Sequence, residues 1–203
     1  MYIKFFKRLI DILFSLFLIL LLSPVFIIVS ILCLLSFKGK IIFAQQRVGK
    51  GERIFTIYKF TTMKPLNNIN VSDTSRLTAV GRFLRRTSLD ELPQLINILK
   101  GDMSLIGPRP LLIKYLPYYY EHEKIRHHVR PGITGLAQIN GRNNASWDER
   151  LKFDCLYVKN LSLKSDIVIF LKTIPQIFVS KNIQIDPRSS MPDLDEERKK
   201  ING

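Results

Sequence analysis

Residues 87–99 read Thr-Ser-Leu-Asp-Glu-Leu-Pro-Gln-Leu-Ile-Asn-Ile-Leu and place two adjacent carboxylates, Asp90 and Glu91, where an apolar periodic stretch begins. A helix start favours ionised acids through its dipole. An ionised aspartate can attack phosphorus to give an acyl phosphate, and a neighbouring acid can hold a divalent cation. Arg82, Arg85 and Arg86, just upstream, supply positive charge for phosphate oxygens. The same residues also have a plainer reading. Ser88 and Glu91 have the spacing of a capping box, in which Glu91 only ties up a backbone N–H. With Asp90 as N-cap instead, Pro93 falls in the first turn, where its missing N–H costs little. Both placements stay open, and an Asp-Glu pair at a helix start is by itself a weak signal of chemistry.

Three loops downstream carry single arginines among Gly, Pro and Asn. They are residues 100–110, with Arg109 locked between two prolines; 130–135, with Arg130; and 138–143, with Arg142. Pinning an arginine lowers the entropy lost when it grips a phosphate or carboxylate. Exposed turn chemistry is the alternative for all three. No P-loop, dinucleotide fingerprint, Ser-His-Asp order or zinc-binding HExxH occurs.

These residues need elements to place them. Residues 41–47 and 53–62 are rich in β-branched and aromatic types and are separated by Gly49-Lys50-Gly51, which predicts a hairpin. In the second strand Lys59 shares a face with Phe55 and Ile57. A lysine snorkelling from a half-buried strand is favoured there over a phosphate-binding cation on spacing alone. Leu77, Val80 and Leu84 recur at helical spacing beneath a face of arginines, which makes a basic amphipathic helix. Residues 162–180 read as an interfacial amphipathic helix broken near Pro175. Residues 186–203 mix both charges with little apolar content and are expected to be a flexible polar tail.

From Ile12 to Phe37 there are 26 consecutive residues without a charge, about 39 Å as a helix and more than a bilayer core requires. The run is too long for a signal-peptide core and lacks a small-x-small site before Lys38. Lys4, Lys7 and Arg8 precede it and Lys38, Lys40 and Arg47 follow it, so both ends look cytoplasmic. Ser23-Pro24 sits near its middle, where proline removes a donor and clashes with the Leu20 carbonyl. A re-entrant helix-break-helix and a kinked spanning helix weigh equally on these grounds. Asp11, within reach of Lys7 and Arg8, reads as an interfacial ion pair, with the two basic residues meeting anionic headgroups.

The whole chain of 203 residues carries +14, and residues 41–203 alone still carry +10 from 26 basic and 16 acidic residues. Partners are therefore expected to be anionic: phospholipid headgroups, phosphate-bearing substrates or, least of all, nucleic acid, for which no binding motif is visible. Two isolated cysteines, Cys33 and Cys155, offer neither a disulfide framework nor metal-ligand spacing.

Taken together, the basic start, the apolar segment broken at Ser23-Pro24, Tyr58-Lys59-Phe60, Ser88-Leu89-Asp90-Glu91-Leu92-Pro93-Gln94, Lys100-Gly101-Asp102-Met103-Ser104, Gly107-Pro108-Arg109-Pro110, Arg130-Pro131-Gly132-Ile133-Thr134-Gly135 and Asn140-Gly141-Arg142-Asn143 resemble the bacterial sugar transferases, the monotopic phosphoglycosyl transferases. The small PglC-type members are nearest in length and opening sequence. The resemblance covers residues 1–180 in order. It implies transfer of a phosphosugar from a UDP-sugar to a polyprenol phosphate, releasing UMP, with Mg2+ as cofactor. Asp90 would be the nucleophile of a covalent phosphosugar intermediate and Glu91 a magnesium ligand, with Asp90 beside it. Lys59, Arg85, Arg109 and Arg142 become candidate phosphate or nucleotide contacts, and Asp154 a residue that supports the site or orients a basic partner. It favours the re-entrant reading and implies an α+β architecture. Residues 1–40 would form a membrane anchor, 41–185 a mostly helical catalytic domain with a short hairpin and interfacial helices, and 186–203 the tail. The implied setting is the cytoplasmic face of a bacterial inner membrane, with anionic lipids and downstream glycosyltransferases as neighbours. Two rivals remain: a metal-dependent phosphohydrolase that uses the same Asp90-Glu91 pair with water as acceptor, and a non-catalytic basic adaptor that binds anionic lipids or a partner enzyme and does not need Asp90.

Overall fold

Proline at position 24 has the consequence its chemistry demands. Helix α1 (Lys7–Leu21) and helix α2 (Ser23–Ser36) meet at a bend of 65°, and Pro24 lies in the first turn of α2. The Leu20 carbonyl that proline cannot satisfy accepts a hydrogen bond from the Ser23 hydroxyl at 2.8 Å. The computed structural model describes residues 2–65, 76–141, 145–178 and 192–202. Among these no single helix is long and apolar enough to cross a membrane, whereas the bent pair is by length and composition.

The predicted hairpin forms from β1 (Ile42–Val48) and β2 (Ile54–Phe60), antiparallel, in a register running from Ile42 opposite Phe60 to Val48 opposite Ile54. The basic amphipathic helix follows as α3 (Ala79–Arg86), N-capped by Thr78, whose hydroxyl accepts from the Gly81 N–H. A β-carbon on Gly81 would stand 1.9 Å from the Thr62 carbonyl oxygen, so only glycine lets α3 lie this close to the chain leaving β2. Leu84, Phe60, Val29, Cys33 and Phe37 then form one buried cluster, which ties α2 to the hairpin and to α3.

Helix α4 (Gln94–Lys100) ends at Gly101 in the left-handed region and packs against α1 through a second cluster of Ile57, Leu95, Ile98 and Met103. Beyond it β3 (Ser104–Ile106) pairs in parallel with β4 (Gly132–Thr134). The intervening chain runs through two 3-10 stretches, Ile113–Tyr118 and Glu121–His128. Helices α5 (Leu136–Gly141), α6 (Trp147–Lys159), α7 (Leu163–Phe178) and α8 (Leu194–Asn202) complete a mixed, mostly helical fold with two small sheets.

Three expectations are corrected. Asp11 is not an interfacial partner of Lys7 and Arg8. It is buried and accepts from the Ser104 hydroxyl and the Leu105 N–H, while Lys7 pairs with Asp166 at 2.6 Å and Arg8 donates to the Ile98 and Leu99 carbonyls. A surface pair three or four residues apart stabilises by only about 0.2–0.5 kcal/mol, less than hydrogen bonds to charged groups made in the interior. Helix α7 does not break at Pro175 but continues to Phe178, because Thr173 and Gln176 on either side are tied to Thr134 and the Ile139 carbonyl. The tail is not free over residues 192–202: Leu194 and Arg198 of α8 are fully buried.

Candidate functional site

Lys59 sits near the end of β2, and the position of that strand is fixed from α4 by one buried side chain. The Asn97 amide donates to the Thr56 carbonyl at 2.7 Å, and its oxygen accepts from the Tyr58 N–H at 3.1 Å. This clamp brings the chain just before α4 across the strand. There Leu89–Glu91 makes a 3-10 turn entered through Ser88 in the left-handed region at φ 55°, and the N-cap of α4 is Pro93. Neither capping arrangement considered from the sequence forms: no side-chain cap hydrogen bond is made by Ser88 or at Pro93, and Asp90 and Glu91 lie inside the turn rather than at the helix cap.

Glu91 is instead spoken for by two cations. Its Oε1 lies 2.6 Å from Lys59 Nζ and 3.2 Å from Arg109 Nη2. Burial pushes the Glu91 carboxyl up, but Lys59 and Arg109 outweigh it and hold the group down at about 2. Asp90 is buried, and among the described residues no side chain donates a hydrogen bond to it. Its carboxyl is pushed up to about 6, chiefly by burial and further by Glu91, against the pull of Lys59, Arg85 and Arg109. Two adjacent acids thus differ in role by surroundings, one neutralised by cations and one left open.

Arg109 reaches Glu91 from the loop in which prolines flank it, and its side chain is half exposed. Its own carbonyl accepts from Arg126 Nη2 at 2.7 Å. Arg126 is buried and grips Asp154 Oδ2 through Nε at 3.1 Å and Nη2 at 2.9 Å. Asp154 therefore lies buried behind Arg109 and holds a basic partner, Arg126. Arg85 donates to the Thr62 hydroxyl at 3.1 Å and is close enough to draw down the Asp90 carboxyl. Arg130 caps the α4 end by donating to the Gly101 carbonyl at 2.7 Å, away from the acids. Arg142 lies outside the described residues.

Two arginines that sequence reasoning missed lie within electrostatic reach of Arg109. Arg47, on β1, is lowered to about 10 by burial and by the charge of Arg109, and feels Glu91 as well; Arg150 is lowered by burial and by Arg109. A lone arginine at a strand end and another in a charged helix turn carry no local signal of convergence. Arg126 was equally silent, although an acid such as Asp154 in an otherwise apolar helix face implied a cation somewhere.

As for a metal, no group of three or more His, Cys, Asp or Glu gathers among the described residues. A four-ligand zinc centre therefore does not fit. Mg2+ is commonly held by one or two carboxylates together with waters and substrate phosphates, and the hard oxygen donors of Glu91 and Asp90 suit that manner of binding.

Residues 2–180 match the family model described as Bacterial sugar transferase. The sugar transferase EpsL of Bacillus subtilis, itself described as uncharacterized, is 44% identical over 181 residues, covering 88% of this chain and 90% of its own. The undecaprenyl-phosphate galactose phosphotransferase of Salmonella typhimurium is 40% identical over 195 residues, covering 84% of this chain. The UDP-glucose:undecaprenyl-phosphate glucose-1-phosphate transferase of Escherichia coli is 40% identical over 188 residues, covering 86%. The match takes in only 40% of the length of each of these last two. With the family model spanning everything from the first described helix through α7, the chain belongs to the bacterial sugar transferase family.

Proposed function

We propose that the protein transfers a sugar 1-phosphate from a UDP-sugar to a polyprenol phosphate, with Asp90 as the nucleophile. The observation that carries this reading is the difference between the two acids: Glu91 is held by Lys59 and Arg109, while Asp90 beside it takes no hydrogen bond from any described side chain. An Asp90 oxygen attacks the phosphorus that bears the sugar. The new O–P bond forms as the P–O bond to the UMP moiety breaks, and UMP leaves with the electron pair. A phosphate oxygen of the lipid then attacks the same phosphorus, giving the polyprenyl diphosphate sugar and returning the Asp90 carboxylate. Lys59, Arg109, Arg85 and Arg47 lower the cost of bringing a diphosphate and a second phosphate to one carboxylate. Glu91, with Asp90 beside it, would hold Mg2+, which would neutralise charge on the diphosphate.

The lipid acceptor calls for a membrane setting, and the surface of the anchor suits one. Leu13, Leu20, Ile27 and Leu35 of the bent pair and Ile167, Leu171 and Ile174 of α7 all expose their side chains. In this reading the bent pair is re-entrant, dipping into one leaflet, and the catalytic part rests on the cytoplasmic face through α7. Single cysteines replacing Tyr2 and Lys40 are expected to react with a membrane-impermeant label from the same side. Labelling from opposite sides would rule the re-entrant path out.

The reaction itself is tested with the detergent-solubilised protein, Mg2+, a panel of UDP-sugars and undecaprenyl phosphate. UMP release that depends on the lipid and on one donor is the expected result, and it names the sugar. Release with water as sole acceptor would favour a phosphohydrolase, and a folded preparation inactive on every donor would favour a non-catalytic adaptor.

A further inference from the structure

Helix α8 lies past residue 180, beyond the reach of the family model, and packs on the rest of the molecule. Leu194 is buried with Tyr115, Tyr119, Trp147 and Leu151. The Trp147 indole donates to the Pro192 carbonyl at 3.0 Å, and Lys114 bridges Asp193 at 2.7 Å and Asp195 at 2.9 Å. Arg198, 1% exposed, is the bulkiest fully buried side chain among the described residues. Its guanidinium lies 3.7 Å from the centre of the Tyr120 ring, and Nη2 donates to Glu123 Oε1 at 2.8 Å and Asp148 Oδ1 at 2.7 Å. An arginine removed so fully from water needs matched partners, and here it has them.

What α8 is fastened to matters more than how firmly. Residues 108–128 leave the loop that presents Arg109 and pass through two 3-10 stretches, whose hydrogen-bond geometry is poorer than that of an α-helix, so side chains help to hold their shape. Glu123 and Arg126 are three residues apart in the second stretch, one turn of a 3-10 helix, and so share a face. Arg198 holds Glu123, Arg126 holds the Arg109 carbonyl, and the Arg109 side chain holds Glu91.

We infer that Arg198 is a positioning residue for the transfer reaction, setting the place of Arg109 at the acid pair through Glu123 and Arg126. The inference rests on the transferase reading. In that reading α8 is a clasp over the two 3-10 stretches behind Arg109, and a displacement of Arg109 by a fraction of an ångström weakens its grip on the donor diphosphate.

A double-mutant cycle on kcat/KM for the UDP-sugar tests it. Arg198→Ala in the parent is expected to lower kcat/KM by about tenfold, carried more by KM than by kcat. In an Arg109→Ala background the same substitution is expected to cost less than about twofold, since the group it positions is gone. A loss of equal size in both backgrounds would mean that Arg198 serves stability alone and would overturn the inference. Where Arg198→Ala does not accumulate as folded protein, Arg198→Lys, which keeps the charge against Glu123, runs the same cycle. An active parent with equal factors defeats only this inference, whereas a parent without acceptor-dependent UMP release defeats the transferase reading and this inference with it.

Discussion

In the transferase reading, Asp90→Asn is expected to abolish turnover while the protein stays folded: UMP release from the donor should fall by roughly three orders of magnitude or more, because an amide oxygen does not displace UMP from phosphorus. The two halves of that result have separate physical origins. Asn has the shape of Asp, and no described side chain donates to Asp90, so no hydrogen bond is lost on substitution. Burial, moreover, opposes the charged form and pushes the Asp90 carboxyl up to about 6. A raised carboxylate in the fold stabilises below the unfolded value near 4, and that contribution fades as pH rises through about 6. At pH 7 without divalent cation the charged form is a burden that the amide lacks, so the Asp90→Asn melting midpoint is expected at or above that of the parent. Near pH 4 the gain should shrink. A variant that is inactive and also melts well below the parent at pH 7 would contradict this account of the residue.

The second large effect lies behind the site. Asp154 and Arg126 form a buried pair with side chains 5% and 2% exposed, and Arg126 also supports the Arg109 carbonyl. Removing the acid leaves a guanidinium stranded out of water. Asp154→Ala is therefore expected to destabilise by about 3–5 kcal/mol, the usual cost of breaking a buried pair from one side. Replacing both partners, Arg126→Met with Asp154→Leu, should restore much of that stability while leaving transfer impaired, because the Arg109 carbonyl has still lost its donor. Chemical denaturation and turnover measured on the three proteins separate these outcomes. A double variant as active as the parent would show that the pair serves the fold alone.

How much of this was legible in the sequence follows from the range of each force. The hairpin, the break at Ser23-Pro24 and the amphipathic helix under its arginines are set by local preferences, and their residues appear where pattern and punctuation place them. The acid pair was legible as a candidate, and Lys59 as one of two readings. Spacing alone favoured a snorkelling lysine, and the structure joins Lys59 to Glu91, a partner 32 residues away. Asp11 shows the opposite error. Its nearest charges in sequence lie one turn back, yet its hydrogen bonds go to Ser104 and Leu105, and Lys7 turns to Asp166. Partner choice among charges depends on which elements pack together, and no local pattern encodes that. The same reason hid Arg47, Arg126 and Arg198.

The bend in the anchor and the capping of α4 by Arg8 act together as a ruler. Arg8, in the first turn of α1, holds the carbonyls at the far end of α4, and the acids sit just ahead of the near end. Between them lies one seven-residue helix, about 10 Å at 1.5 Å per residue. In the re-entrant reading, then, the reacting carboxylate stands at a set height from the point where the chain enters the lipid. Acceptors would be sorted first by the depth at which their phosphate floats, before any contact with the tail that anchors them.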